Sequence, residues 1–124
     1  MIRTIKGPAL LISALAVMAA GCGRPSILLE VVNTDRQPGL AVSILGPFGP
    51  RATNPPANTD PPSSSIELDV EAGSTVRFTS EVSNVIQSTG RCQVGESTLA
   101  GGSAVISVTS DTIICQSGWS DAVQ

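Results

Sequence analysis

The sequence predicts an all-β domain, a small β-sandwich of six to seven antiparallel strands. Three observations carry that expectation. Short apolar runs recur along the chain, several alternating with period two, and clusters of Gly, Pro, Asn, Asp and Ser separate them. Charged residues make up only 14% of the chain, while small polar residues are abundant, which suits an extracytoplasmic β-domain better than solvated helices. There is no histidine and no tyrosine, and Phe48, Phe78 and Trp119 are the aromatics, so the core has to be built from Ile, Val, Leu and Ala.

A segment of another kind comes first. Arg3 and Lys6 precede an apolar run over residues 9–20, which ends in Ala19-Ala20-Gly21 and then Cys22. That order is the charged region, apolar region and small-residue cleavage site of an export signal, expected as a signal helix over residues 1–21 that is removed. A membrane-spanning helix needs ~20 apolar residues. This run is about a dozen long, bounded by Lys6-Gly7-Pro8 and by Gly21-Cys22-Gly23-Arg24.

The cysteine directly after small residues resembles the lipobox of bacterial lipoproteins, with Ala19 standing where Leu is usual. The resemblance implies that the Cys22 thiol receives a diacylglyceryl group and becomes the mature N-terminus. The membrane is then a partner, reached through lipid, and the location is the bacterial cell envelope. Residues 22–26 form a short tether, and at ~3.6 Å per residue at most the domain stays close to the bilayer. Gly23, rather than Asp, follows the cysteine, which resembles outer-membrane lipoproteins of diderm bacteria. A plain signal cut near Ala20, giving a secreted unlipidated β-domain, is the alternative. Cysteine arithmetic separates the two. Of three cysteines in an exported chain, one is left over. With Cys22 acylated, Cys92 and Cys115 remain as one pair.

Loss of residues 1–21 leaves about a hundred residues, enough for one core. It also removes Arg3 and Lys6, so the exported part is more acidic than the whole chain at −3. Such a balance offers no electrostatic footprint for nucleic acid.

The domain is expected over 27–118. Residues 27–32 (ILLEVV) read as a strand apolar on nearly both faces, and 33–39 as a turn. Residues 40–45 (LAVSIL) form a second strand, with Leu40, Val42 and Ile44 on one face, and Gly46-Pro47 ends it. Residues 47–65 hold six of the nine prolines and read as one long extended surface loop, because proline removes backbone donors from a ladder. Loops of that length are either mobile or functional.

Residues 66–70 (IELDV) and 75–79 (TVRFT) both alternate, with Ala72-Gly73 between them, and are expected to form a β-hairpin. Val76 and Phe78 then face inward, and Arg77 shares the outer face with Glu67 and Asp69. Residues 82–86 read as a short strand, 87–94 carry Cys92, and 95–103 form a Gly-rich connection. Residues 104–109 and 112–116 are two further strands, joined at Ser110-Asp111. Residues 119–124 are a polar tail containing Trp119.

Two passages resemble known modules. Residues 40–50 (LAVSILGPFGP), followed by an alternating strand and Ala72-Gly73-Ser74-Thr75-Val76, are similar to bacterial immunoglobulin-like or transthyretin-like envelope modules. Ala72 and Val76 replace the usual Pro and Tyr. Residues 92–115 resemble the cysteine-bounded end of repetitive secreted β-domains, in which the two cysteines lie on neighbouring strands. The resemblance implies an immunoglobulin-like sandwich and no particular activity.

Candidate chemistry is narrow. Without histidine there is no Ser-His-Asp or Cys-His nucleophile and no histidine-based metal site. Cys92 and Cys115 are too few for a cysteine metal site and form no C-x-x-C motif, so a disulfide is the expected fate. Glu67, Asp69 and Glu71 read as a solvated strand face, since no calcium-loop spacing is present. Neither a catalytic residue, a metal nor a cofactor is expected. Phe48, in the Pro-rich loop, and Trp119 are the candidates for contact with a partner, because exposed aromatics anchor interfaces. Trp119 read instead as a cap closes the open end of the sandwich. The function expected is a non-enzymatic, lipid-anchored envelope protein, structural or accessory. In the alternative, the Pro-rich loop recognises an envelope protein or a glycan.

Overall fold

The structure is a computed structural model and describes residues 24–120. The expected signal (1–21), the expected acylation site Cys22, Gly23 and residues 121–124 lie outside the described residues. Eight strands form within them: β1 Ser26–Asn33, β2 Leu40–Gly46, β3 Gly49–Thr53, β4 Ser63–Asp69, β5 Thr75–Val82, β6 Val85–Gln93, β7 Ser103–Val108 and β8 Ile113–Cys115. One short helix, α1 Glu96–Gly101, joins β6 to β7. Two four-stranded sheets result, ordered β4-β1-β7-β8 and β3-β2-β5-β6. The protein is an all-β sandwich.

Period-two alternation becomes the inside of that sandwich. Ile27, Leu29 and Val31 of β1, Leu40, Val42 and Ile44 of β2, Val76 and Phe78 of β5, and Ala104, Ile106 and Val108 of β7 are all buried in one cluster. The intervening residues of these strands are more exposed, so Leu28 and Leu45 face outward. Burial of an aliphatic or aromatic side chain contributes ~1.5–3 kcal/mol, so this single cluster supplies most of the favourable term.

Three sequence expectations are corrected. The hairpin 66–79 does not exist. β4 pairs with β1, and β5 pairs with β2 and β6, so the two strands lie in different sheets. Alternation fixes which face is inward but not which strand is the neighbour, and two strands facing each other across a sandwich alternate like two strands of a hairpin. Residues 70–74 carry the chain between sheets. Gly73 adopts φ 87°, its N–H donates to Val94 O at 2.7 Å, and Val94 N–H donates to Ser74 O at 2.9 Å. Glu67 and Asp69 therefore point away from one sheet and Arg77 from the other.

The true hairpin is β5–β6. Ser83 and Asn84 form its two-residue turn, both with positive φ (53° and 67°), the backbone that matches strand twist in tight hairpins. A bulge at Ser80/Glu81 shifts the register. Residues 82–86, expected as one short strand, instead end β5, turn, and begin β6.

The Pro-rich stretch is the second correction. It contains β3, which pairs antiparallel with β2 and holds Pro50 opposite Leu45. A proline is tolerated there because β3 is an edge strand with one neighbour. What remains irregular is tied to the body of the protein. Arg36 donates to Ala57 O at 3.2 Å and Thr59 O at 2.8 Å, and Asn33, fully buried, donates to Pro55 O at 3.2 Å.

The third correction is strand count and direction: eight strands rather than six or seven, with β1 and β7 parallel. The connection explains the direction. β6 runs back toward the end where β1 begins, α1 covers little ground, and β7 therefore starts beside Leu28 and runs with β1. α1 itself occupies the expected Gly-rich connection. Its first turn closes on Gly95 N–H donating to Thr98 Oγ1 at 3.0 Å, and Gly102 ends it with φ 72°. Six residues are too few to show helical periodicity in a sequence.

Candidate functional site at the disulfide-bridged edge

The two sheets meet at two edges. On one, β8 of the first sheet lies beside β6 of the second, and no ladder joins them. Cys92 and Cys115 join them covalently, with Cα atoms 5.9 Å apart. The cysteines lie on facing edge strands of different sheets, not on neighbours of one sheet. Gly90 makes the approach of β8 feasible, since a Cβ at that position would lie 2.9 Å from Ile113 Cβ. Cys92 is buried, and Val94, Ile106, Val108 and Ile113 belong to the same buried cluster.

Beside the disulfide, β5, β6 and β8 line an open groove of about 720 Å³. Arg77 and Arg91 stand directly opposite each other on β5 and β6 and are both exposed. Thr79 and Thr89 are the next opposed pair on the same face. Ile114, 48% exposed, and Cys115 form the β8 wall.

The other described arginines are engaged. Arg24 pairs with Asp69 at 3.9 Å, and its guanidinium lies 4.3 Å from the centre of the Phe48 ring. Arg36 pairs with Asp60 at 3.9 Å, and Arg51 donates to Glu67 O at 2.6 Å. The guanidiniums of Arg77 and Arg91 have neither an ion pair nor a hydrogen bond among the described residues. Like charges directly opposite across strands are unfavourable. Among the described residues, the two cations without a partner thus stand together, in this groove, on an acidic chain.

Trp119 sits under this edge rather than in an exposed tail. It is 8% exposed, its Nε1–H donates to Val105 O at 2.9 Å, and its ring meets Phe78 edge-on at 6.0 Å between centroids. Gly118 brings it there with φ 95°, at a point where any side chain would strike Ser103 O and Ala104. The flanking backbone bridges both sheets, because Val105 N–H donates to Ser117 O and Ser120 N–H donates to Gln93 O, each at 3.0 Å. Trp119 is a cap over the core.

Phe48 lies at the β2–β3 turn and is 40% exposed, beneath Arg24. Phe48 and Trp119 do not form one surface. Glu67 and Asp69 are dispersed along β4, and among the described residues no group of three carboxylate, cysteine or histidine side chains gathers as metal ligands. Nor is any helix among the described residues long and apolar enough to cross a membrane.

No protein-family model, curated protein or solved structure matches the chain. Sequence reasoning did not single out Arg91. Only the β5–β6 register pairs it with Arg77, and that register depends on the Ser83-Asn84 turn and the bulge. Positive-φ turns favour Asn, so Ser83-Asn84 was the available signal.

Proposed function

We propose that the protein is a non-enzymatic accessory of the bacterial cell envelope: a β-sandwich held at the membrane by lipid on Cys22. The observation that carries this reading is the position of Cys22 relative to the fold. It follows an apolar run and small residues, and the first strand begins at Ser26, leaving almost no leash. The disulfide supports export, because such bonds persist in oxidising compartments. It also accounts for the other two cysteines, so Cys22 alone remains for lipid.

The sandwich then stands on the bilayer with its N-terminal end toward it. The turns at Phe48 and at residues 70–74 share that end, since β2 and β4 finish beside the start of β1 and β5. The β5–β6 turn is at the far end, where Val85 and Ile86 are exposed. Metabolic labelling tests the reading. The wild-type chain takes up palmitate and partitions into detergent, and Cys22→Ser loses the label. An unlipidated wild-type chain that begins at another residue overturns it.

A further inference from the structure

We propose that Arg77 and Arg91 are the two arms of a phosphate-binding site in the groove beside the Cys92–Cys115 bond. The proposal rests on geometry within residues 24–120 and is independent of whether Cys22 carries lipid. The two residues are register partners on adjacent strands. Cβ atoms of such partners are ~5 Å apart, so two long side chains on one face can close on a single group. Both guanidiniums lack an acceptor among the described residues, whereas Arg24, Arg36 and Arg51 each have one.

The ligand class follows from charge and shape. A guanidinium presents a planar fork that matches two oxygens of an oxyanion. A carboxylate has two oxygens and satisfies one fork. A phosphate monoester has three terminal oxygens and up to two charges, so it can serve both forks and neutralise the pair. Thr79 and Thr89 add two hydroxyls on the same face, neither of them hydrogen-bonded among the described residues. The acidic chain repels an extended polyanion, which favours one phosphate group over nucleic acid. Ile114 offers an apolar wall for whatever the phosphate is attached to. A free phosphate and a lipid phosphate share this chemistry.

Arginine Nε–H resonances of the purified full chain, in neutral detergent, test the site. Inorganic phosphate is titrated against chloride at matched ionic strength, and dihexanoyl phosphatidate, kept below its micelle concentration, is titrated separately. Arg77 and Arg91 shift and saturate with phosphate while Arg24, Arg36 and Arg51 hold still. R91Q weakens the affinity about tenfold or more, and R91K, which keeps charge but loses the fork, falls between. If the source is a lipid headgroup, phosphatidate binds at least about tenfold tighter than phosphate and moves the Ile114 methyl. If it is a soluble phosphate, the two bind alike and Ile114 is silent. Both outcomes support the site. Shifts that chloride reproduces, that spread over all five arginines of residues 24–120, or that survive in R91Q with its fold intact overturn it.

Discussion

The two edges of the sandwich are closed by different means. At the β6/β8 edge one covalent bond spans the sheets, and the groove beside it keeps two arginines without acceptors. At the β3/β4 edge no covalent bond spans the sheets among the described residues, and polar side chains close it. Thr53 and Ser64 hydroxyls lie 2.6 Å apart, Arg51 reaches Glu67 O at 2.6 Å, and Arg24, just before β1, lies 4.3 Å from the centre of the Phe48 ring at the β2–β3 turn. Arginine is structural on one edge and unspent on the other. Where covalent closure holds the edge, side chains are released from holding it. The expectation is that disturbing the first edge costs stability through the bond and the packing, and not through its charges.

The largest effect should come from the bond. Reduction, or Cys92→Ala with Cys115→Ala, should cost roughly 3 kcal/mol in the chain-entropy model, for a sequence separation of 23. That is a large fraction of a small domain's stability. Denaturant unfolding with and without reductant measures it. A loss below ~1 kcal/mol would mean that the edge is held by packing and that the two edges are closed alike.

A smaller loss is expected from Gly90→Ala. The added methyl would sit 2.9 Å from Ile113 Cβ and 3.0 Å from Ile113 O, so β8 must retreat from β6. Overpacking of this kind costs ~1–3 kcal/mol. Because the same contact holds the cysteines together, the mutation should cost less in the reduced protein than in the oxidised one. Equal losses in both states would show that Gly90 and the bond act independently.

How far the sequence disclosed this arrangement follows from what alternation encodes. Leu40, Val42, Ile44, Val76 and Phe78 were legible as inward-facing, because a strand with one wet face has to alternate. Their partners were not. The pairing of β4 with β1 and the parallel run of β1 with β7 depend on contacts far apart in the chain, and those leave no local pattern. Cys92 and Cys115 were legible by elimination among three cysteines. β3 was hidden because Pro50 reads as a strand breaker until its strand is known to be an edge. Trp119, placed in a polar tail by its neighbours, is buried by a single turn at Gly118. The Arg77–Arg91 pair needed both the hairpin and its bulge, so the candidate site was the least legible part of the molecule.

The smallest effect is expected for Arg77→Ala, and here the sign carries the comparison. Arg77 lies on the outer face with Arg91 opposite, and removing one of two like charges relieves a repulsion. Its guanidinium has no acceptor among the described residues, so no bond is lost; its methylene stem covers some surface, so some packing is. These terms are small and opposed, and the net change should lie within ~0.5 kcal/mol of zero. Raising the salt concentration should move it toward destabilisation, because screening removes the repulsion that the mutation relieves. Arg51→Ala, at the other edge, removes a hydrogen bond to Glu67 O and should destabilise at any salt concentration. Paired denaturant titrations at low and high salt separate the two. If Arg77→Ala destabilises as much as Arg51→Ala under both conditions, Arg77 is a structural residue like its counterpart, and the contrast between the two edges fails.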